Sequence, residues 1–216
     1  MLRNLIFVLL ITLLLSGQYL FANNLKKDIN VIYSKDYLFV DYHDPGYLGT
    51  QSGDKFYFGY KGFTYEKIST WGAGRKITLK YSLDDGTYLE DIISGTKVYG
   101  YFLVSGEHPI SMISSSCLKS ESSIMGGAGC FQDEVDNWLF EIDRVMKKLQ
   151  QKYSKVEYEL IVQMHQSWLK YKKIRYLVGS TIHANDKGTI TTIESASRAS
   201  SVFYNHVSFL LQLEYE

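Results

Sequence analysis

The hydrophobic period of this chain changes once, and no single layer of structure satisfies both halves. Upstream of about residue 110 apolar residues recur at every second position; downstream of Gly129 they recur at every third or fourth. Strands followed by helices define an α+β fold. The strongest strand signal is Lys76-Ile77-Thr78-Leu79-Lys80-Tyr81-Ser82-Leu83, which alternates strictly and puts Ile77, Leu79, Tyr81 and Leu83 on one face. Asp84-Asp85-Gly86-Thr87 then supplies an Asp-Gly turn into Tyr88–Ile93, a hairpin signature. Further strands are expected at Tyr37–Tyr42, Phe56–Tyr60, Phe63–Ile68 and Val98–Val104, separated by Gly and Asp clusters, with Pro45 and Pro109 in loops. Residues 23–110 are thus expected to form a small antiparallel β barrel or sandwich, its surface rich in Tyr.

The second half, residues 111–216, reads as three helices. Val135, Leu139, Ile142, Val145, Met146 and Leu149 make the first stripe, with Asp133, Glu134 and Asp136 at its start and Lys147, Lys148 and Lys152 at its end. Both charge sets suit the helix dipole. Ser154-Lys155-Val156-Glu157 has the form of a capping box and opens a second helix, which is expected to stop at Gly179-Ser180. Thr191-Thr192-Ile193-Glu194 repeats the box before a third stripe through Ser200, Phe203, Val207 and Leu210. In the second helix Leu160, Ile161, Met164, Trp168, Tyr171 and Val178 share a face about 100° wide. Lys170, Lys172 and Lys173 fall off that face. Trp168 is expected to be a core anchor, and the lysines a solvated rim.

The first residues carry an address. Met1-Leu2-Arg3-Asn4 precedes an apolar core of about 11 residues, and Ala22 ends the segment, the pattern of a cleaved secretory signal. Residues 1–22 are read as that signal peptide; a spanning helix needs about 20 apolar residues. The protein is therefore expected to be exported to a periplasm, with no Cys near the cut to carry a lipid anchor. Lys+Arg and Asp+Glu number 23 each in the full chain. Such balance gives no general reason to expect nucleic-acid or membrane-surface binding. In an oxidising compartment Cys117 and Cys130 are expected to pair; a metal pair is the weaker alternative, since no His or second Cys pair completes a site.

The helical half resembles a known family. Cys117 to Cys130, "DEVDNWLFEIDRVMKKLQQKY", "MHQSWLKYKKIRYLVGS" and "GTITTIESASRASSVFYNHVSFLLQL" are similar to the LprI-type lysozyme inhibitor domain over residues 113–214. Trp168, Leu169 and Tyr171 match its Trp-Leu-x-Tyr core, and Gly179 and Ser180 match its turn. Lys172 stands where the family has Arg. A second family disulfide is missing, its positions falling at Tyr176 and near Ser197, and packing of Tyr176 on the last helix is expected to substitute. The resemblance implies a small exported helical module that binds a lysozyme-like hydrolase. The β half carries no such resemblance.

Catalytic constellations are weak. Asp84, Asp85, Glu90 and Asp91 have the chemistry of a glycosidase pair but flank a hairpin turn, where Asp serves the backbone. The five histidines show no metal spacing, no Gly-x-Ser-x-Gly elbow occurs, and Met125–Gly129 lacks the Lys of a phosphate loop. The glycine run is expected to give the disulfide loop slack. The chain is therefore expected to be no enzyme and to need no cofactor. Trp71 and Arg75, in the glycine-rich loop 69–75, are the candidate partner-binding residues, because Trp and Arg are enriched in interface hot spots. The hydroxyl-rich stretch 111–123 is a second candidate loop or a linker. An exported inhibitor of a lysozyme-like peptidoglycan hydrolase is the leading expectation, with a peptidoglycan-binding module or an envelope structural partner as alternatives.

Overall fold

The computed structural model describes residues 30–43, 46–58, 66–182 and 189–215, so the expected signal peptide lies outside the described residues. Seven strands form one antiparallel sheet: β1 Val31–His43, β2 Tyr47–Thr50, β3 Lys55–Phe58, β4 Lys76–Ser82, β5 Gly86–Asp91, β6 Lys97–Tyr99 and β7 Phe102–Val104. Their spatial order is β6-β5-β4-β1-β2-β3-β7. The long β1 serves two ladders. Its first half pairs with β4 (Lys35 opposite Leu79) and its second half with β2 (Tyr42 opposite Leu48), with a register shift between Phe39 and Asp41. Such an irregularity bends a strand.

The edge strands β6 and β7 are separated in sequence only by Gly100 and Tyr101. Three steps of 3.8 Å keep Tyr99 and Phe102 within about 11 Å, so the sheet must roll until its two edges approach. No ladder among the described strands joins those edges. The expected barrel is therefore corrected to an open, rolled sheet. Its interior holds Tyr37, Phe39, Leu48, Phe56, Ile77, Leu79, Leu89 and Phe102. The single strand expected at Val98–Val104 is broken at Gly100, where a Cβ would press on the Phe102 ring. Of the strand expected at Phe63–Ile68, residues 63–65 lie outside the described set, and 66–68 form a helical turn that buries Ile68. The Asp-Gly hairpin is present, with Ser82 opposite Gly86.

Four helices follow rather than three: α1 Pro109–Ser120, α2 Ile124–Lys152, α3 Lys155–Ile182 and α4 Thr189–Tyr215. The stretch expected as a linker is α1. His108 caps it, its Nδ1 accepting the Ile110 N–H at 3.2 Å, and Pro109 sits in the first turn, where no N–H is needed. Helix α2 starts at Ile124 and absorbs the glycine run. Glu134 is thus not a first-turn charge but a buried acceptor for Ser111 Oγ (2.9 Å) and Trp138 Nε1 (3.3 Å). The Cys117–Cys130 disulfide is present and ties α1 to α2 with Cα atoms 5.8 Å apart. Helix α3 opens on the expected capping box, Glu157 Oε2 accepting both the N–H and Oγ–H of Ser154. It then runs through Gly179 and Ser180 to Ile182. Both Ser180 and Thr181 turn their hydroxyls back onto the Leu177 carbonyl, so hydroxyl residues continue the helix instead of ending it.

The helical core is built by α2 and α4, from Trp138, Ile142, Val145, Leu149, Phe203, Val207, Leu210 and Leu211. Tyr81 joins it from β4. Its hydroxyl donates to Glu141 Oε2 at 3.0 Å, and burial together with the Glu141 charge pushes that phenol far above its ordinary range. Glu141 and Glu214 both clamp the buried Arg144 guanidinium, at 2.8–2.9 Å and 2.7–2.9 Å. The same guanidinium lies against Gly86, whose φ is +75° and where an added Cβ would stand only 2.7 Å from Arg144 Cζ, leaving no room for a side chain. Thr87 meets His108 (3.3 Å) and Tyr101 meets Ser208 (3.0 Å), so polar contacts stitch the sheet to the helices.

Candidate functional site

Helix α3 touches α2 and α4 sparsely and buries none of its 28 residues. That loose seating leaves a groove of about 470 Å³ between α3 and α4. Met164, Trp168, Tyr171 and Arg175 line one wall, each three or four residues from the next; Val202, the adjacent Asn205 and His206, and Phe209 line the other. Two helices that present i, i+3 and i+4 side chains across a gap make such a groove without any loop.

Its floor is an aromatic stack. Trp168 and His206 lie parallel, 4.0 Å between centroids and 5° between planes, and Phe203 meets Trp168 edge-on at 5.4 Å. His165 Nδ1 sits 2.9 Å from His206 Nε2, a distance that requires one ring to donate and the other to accept. Burial lowers His206 to about 4, helped by the neighbouring His165, and burial lowers His165 as well, with Lys172 acting in the same sense and Asp143 opposing. Both rings are neutral at pH 7. Lys172 completes the floor, its Nζ 4.7 Å from the Phe203 centroid and 5.2 Å from that of Trp168. Such ammonium–ring contacts contribute about 0.5–1 kcal/mol at exposed sites.

The structure gathers part of the sequence-predicted set. Trp168 and Tyr171 share the groove, and Lys172 lies beneath it. The expected solvated rim is corrected at Lys172, whose ammonium lies over the Trp168 and Phe203 rings; Lys170 and Lys173 are exposed. Trp168 is half-buried and packs on the rim of the α2–α4 core rather than inside it. Tyr176 does not pack on the last helix: it is 74% exposed. Leu169 is half-buried, and Gly179 and Ser180 lie in the last turn of α3, outside the groove.

Trp71 and Arg75 are occupied elsewhere. Trp71 is 8% exposed and packs edge-on against Phe39 in the sheet core. Arg75 pairs with the fully buried Asp91, whose carboxyl is held far below its usual range by that guanidinium. Trp71 is therefore withdrawn into the core, which corrects its sequence-based assignment, while the Arg75 side chain, 32% exposed, is committed to Asp91. Two more of the hairpin carboxylates are engaged as well: Glu90 pairs with Lys80 at 2.7 Å, and Asp84 accepts from Asn30.

Sequence reasoning missed His165, Asn205, His206 and Phe209. A signal existed: His165 and Trp168 are three apart, as are His206 and Phe209, so each pair shares a helix face. Among the described residues no three His, Cys, Asp or Glu side chains converge as a metal cluster, and no helix is long and apolar enough to cross a membrane. Comparison with family models, curated proteins and solved structures gives no match.

Proposed function

We propose that this chain is an exported protein-binding module that receives its partner in the α3–α4 groove, and that the partner is a lysozyme-like peptidoglycan hydrolase. The observation behind the binding reading is the groove itself: Met164, Tyr171, Val202 and Phe209 offer apolar contact, while Arg175 and Asn205 place a cation and an amide at the same opening. Apolar surface with a few fixed polar groups is the usual composition of a recognition site. The hydrolase follows from the resemblance of residues 113–214, and Arg175 suits it, since the cleft of a glycan-cleaving enzyme is lined by carboxylates. Arg175 Nη1 donates to Tyr171 Oη at 3.3 Å, which holds the cation at the groove.

A peptidoglycan fragment is the second reading, favoured by Tyr171 and Phe209, both about half exposed. Against it, one face of Trp168 is taken by His206, which removes the best sugar-stacking platform. The test is inhibition of several muramidases by the protein, beside Arg175→Glu and Phe209→Ala. Inhibition lost in both variants with unchanged melting supports the reading. Absence of inhibition, with Tyr and Trp emission responding to soluble peptidoglycan fragments, replaces it by the glycan reading.

A further inference from the structure

The apolar face of helix α3 continues beyond the groove wall as an exposed stripe. Val156, Leu160, Ile174, Val178 and Ile182 are each at least half exposed. At 100° per residue they fall, with Tyr171, within an arc of about 80°. The rise of 1.5 Å per residue makes the stripe about 39 Å long. This apolar face is wider than the groove wall, which uses only one flank of it, and Tyr171 sits where the two meet.

The charges beside the stripe are segregated. Glu157 and Glu159 lie near the N-terminal end of α3, and Lys170, Lys173 and Arg175 lie in its C-terminal half. A surface that is acidic at one end and basic at the other complements itself when two copies run antiparallel, and opposes itself when they run parallel. Antiparallel pairing also sets the two helix dipoles head to tail. Ser167, a small residue at the middle of the stripe, lets the two backbones approach where such helices cross.

From these observations we propose that the outer face of α3 is the self-association surface of this protein, and that a second copy covers it with its own α3 in antiparallel orientation. A contact about 39 Å long and roughly 10 Å wide buries about 800 Å² over both partners, below the range of stable interfaces, so the dimer is weak and reversible, with a dissociation constant of the order of micromolar. The proposal stands apart from the hydrolase reading, since its decisive residues, Leu160 and Ile174, do not line the groove.

Sedimentation velocity tests it on protein purified from producing cells, its N-terminus read by mass spectrometry. The sedimentation coefficient is expected to rise from monomer to dimer with concentration. Ile174→Glu is expected to weaken the dimer at least about tenfold while leaving the melting temperature unchanged, because the position is exposed. Lys173→Glu is expected to weaken it, and adding Glu159→Lys to restore it. Orientation is read with a short bismaleimide. Val156→Cys and Val178→Cys proteins are expected to link to each other, whereas two copies of Val156→Cys stand about 33 Å apart in the antiparallel pair and do not link. A protein that stays monomeric at about 100 µM, two orders above the expected constant, overturns the proposal, as does a dimer that Ile174→Glu leaves intact. Preferential linking of Val156→Cys to itself overturns the antiparallel arrangement.

Discussion

Trp168 lies flat on His206, with ring centroids 4.0 Å apart and planes 5° from parallel. The contact joins α3 to α4 where little else does, and it couples the indole to a group that titrates. His206, lowered to about 4 by burial and by His165, is neutral at pH 7 and acquires charge only in acid. Tryptophan emission is therefore expected to fall as pH drops from 6 toward 4, because an imidazolium on the ring quenches the indole. Trp168→Phe removes that part of the titration, and so does His206→Phe. An unchanged titration in either variant contradicts the assignment.

His108 makes folding acid-sensitive. Its Nδ1 accepts the Ile110 N–H, so its one proton sits on Nε2 and bonds Thr87 Oγ1. Burial, with Arg144 nearby, lowers it to about 3. A lowered folded value means that stability is complete above the unfolded value of about 6.5 and is lost as pH falls toward 3, by about 1.4 kcal/mol per pH unit. His108→Asn keeps a side chain that caps helices well and has nothing to titrate. Urea melts at pH 7, 5 and 4 are expected to converge in that variant once the His206 contribution is removed by a second substitution.

Gly86 and Arg144 form a pair that a mutant cycle resolves. Gly86→Ala is expected to cost about 3 kcal/mol, combining strain at positive φ with displacement of a buried guanidinium. In an Arg144→Met, Glu141→Gln, Glu214→Gln background the same change costs only the strain, about 1 kcal/mol. Chemical denaturation of the four proteins measures the difference; equal costs in both backgrounds exclude the contact.

Arg144 itself neutralises two carboxylates at once. Arg144→Met alone is expected to destabilise the fold by about 3–5 kcal/mol, since Glu141 and Glu214 are left facing each other out of water. Adding Glu141→Gln and Glu214→Gln is expected to return most of that loss. Thermal melts of the single and triple variants decide it.

The Cys117–Cys130 bridge closes a sequence separation of 13 residues. Reduction is expected to lower stability by about 3 kcal/mol in the chain-entropy account. Urea midpoints with and without reductant measure it, and a double Cys→Ser variant should match the reduced protein.

Some of this architecture was legible in the residues. Lys76–Leu83 and Asp84-Asp85-Gly86 gave the β4–β5 hairpin, Ser154 and Glu157 gave the start of α3, and the two cysteines gave the bridge, because each signal is local. Helix α1 was not, although Pro109 at its first position and Ile110, Ile113 and Cys117 at helical spacing were in plain sight; seven serines from 111 to 123 masked the stripe. The rolled sheet depends on which strands meet, and β3 finding β7 across 43 intervening residues leaves no trace in periodicity. Trp168 was read as core because a helical stripe reports a face, not what fills the space opposite it. His206 stayed hidden for the same reason: its role exists only where α3 and α4 come together.

The two-residue link between β6 and β7 has a consequence in time rather than in space. Synthesis delivers β1, β2 and β3 early, yet β3 has a free edge until Phe102–Val104 arrives to pair with Phe56 and its neighbours. Ladders of such long range form slowly, and half-made sheets expose strand edges that attract other chains. For a chain leaving the ribosome from its N-terminus, every residue of the sheet must have emerged before any part of it is safe. Whatever holds the nascent segment apart until Val104 appears governs how much of this protein reaches its folded state.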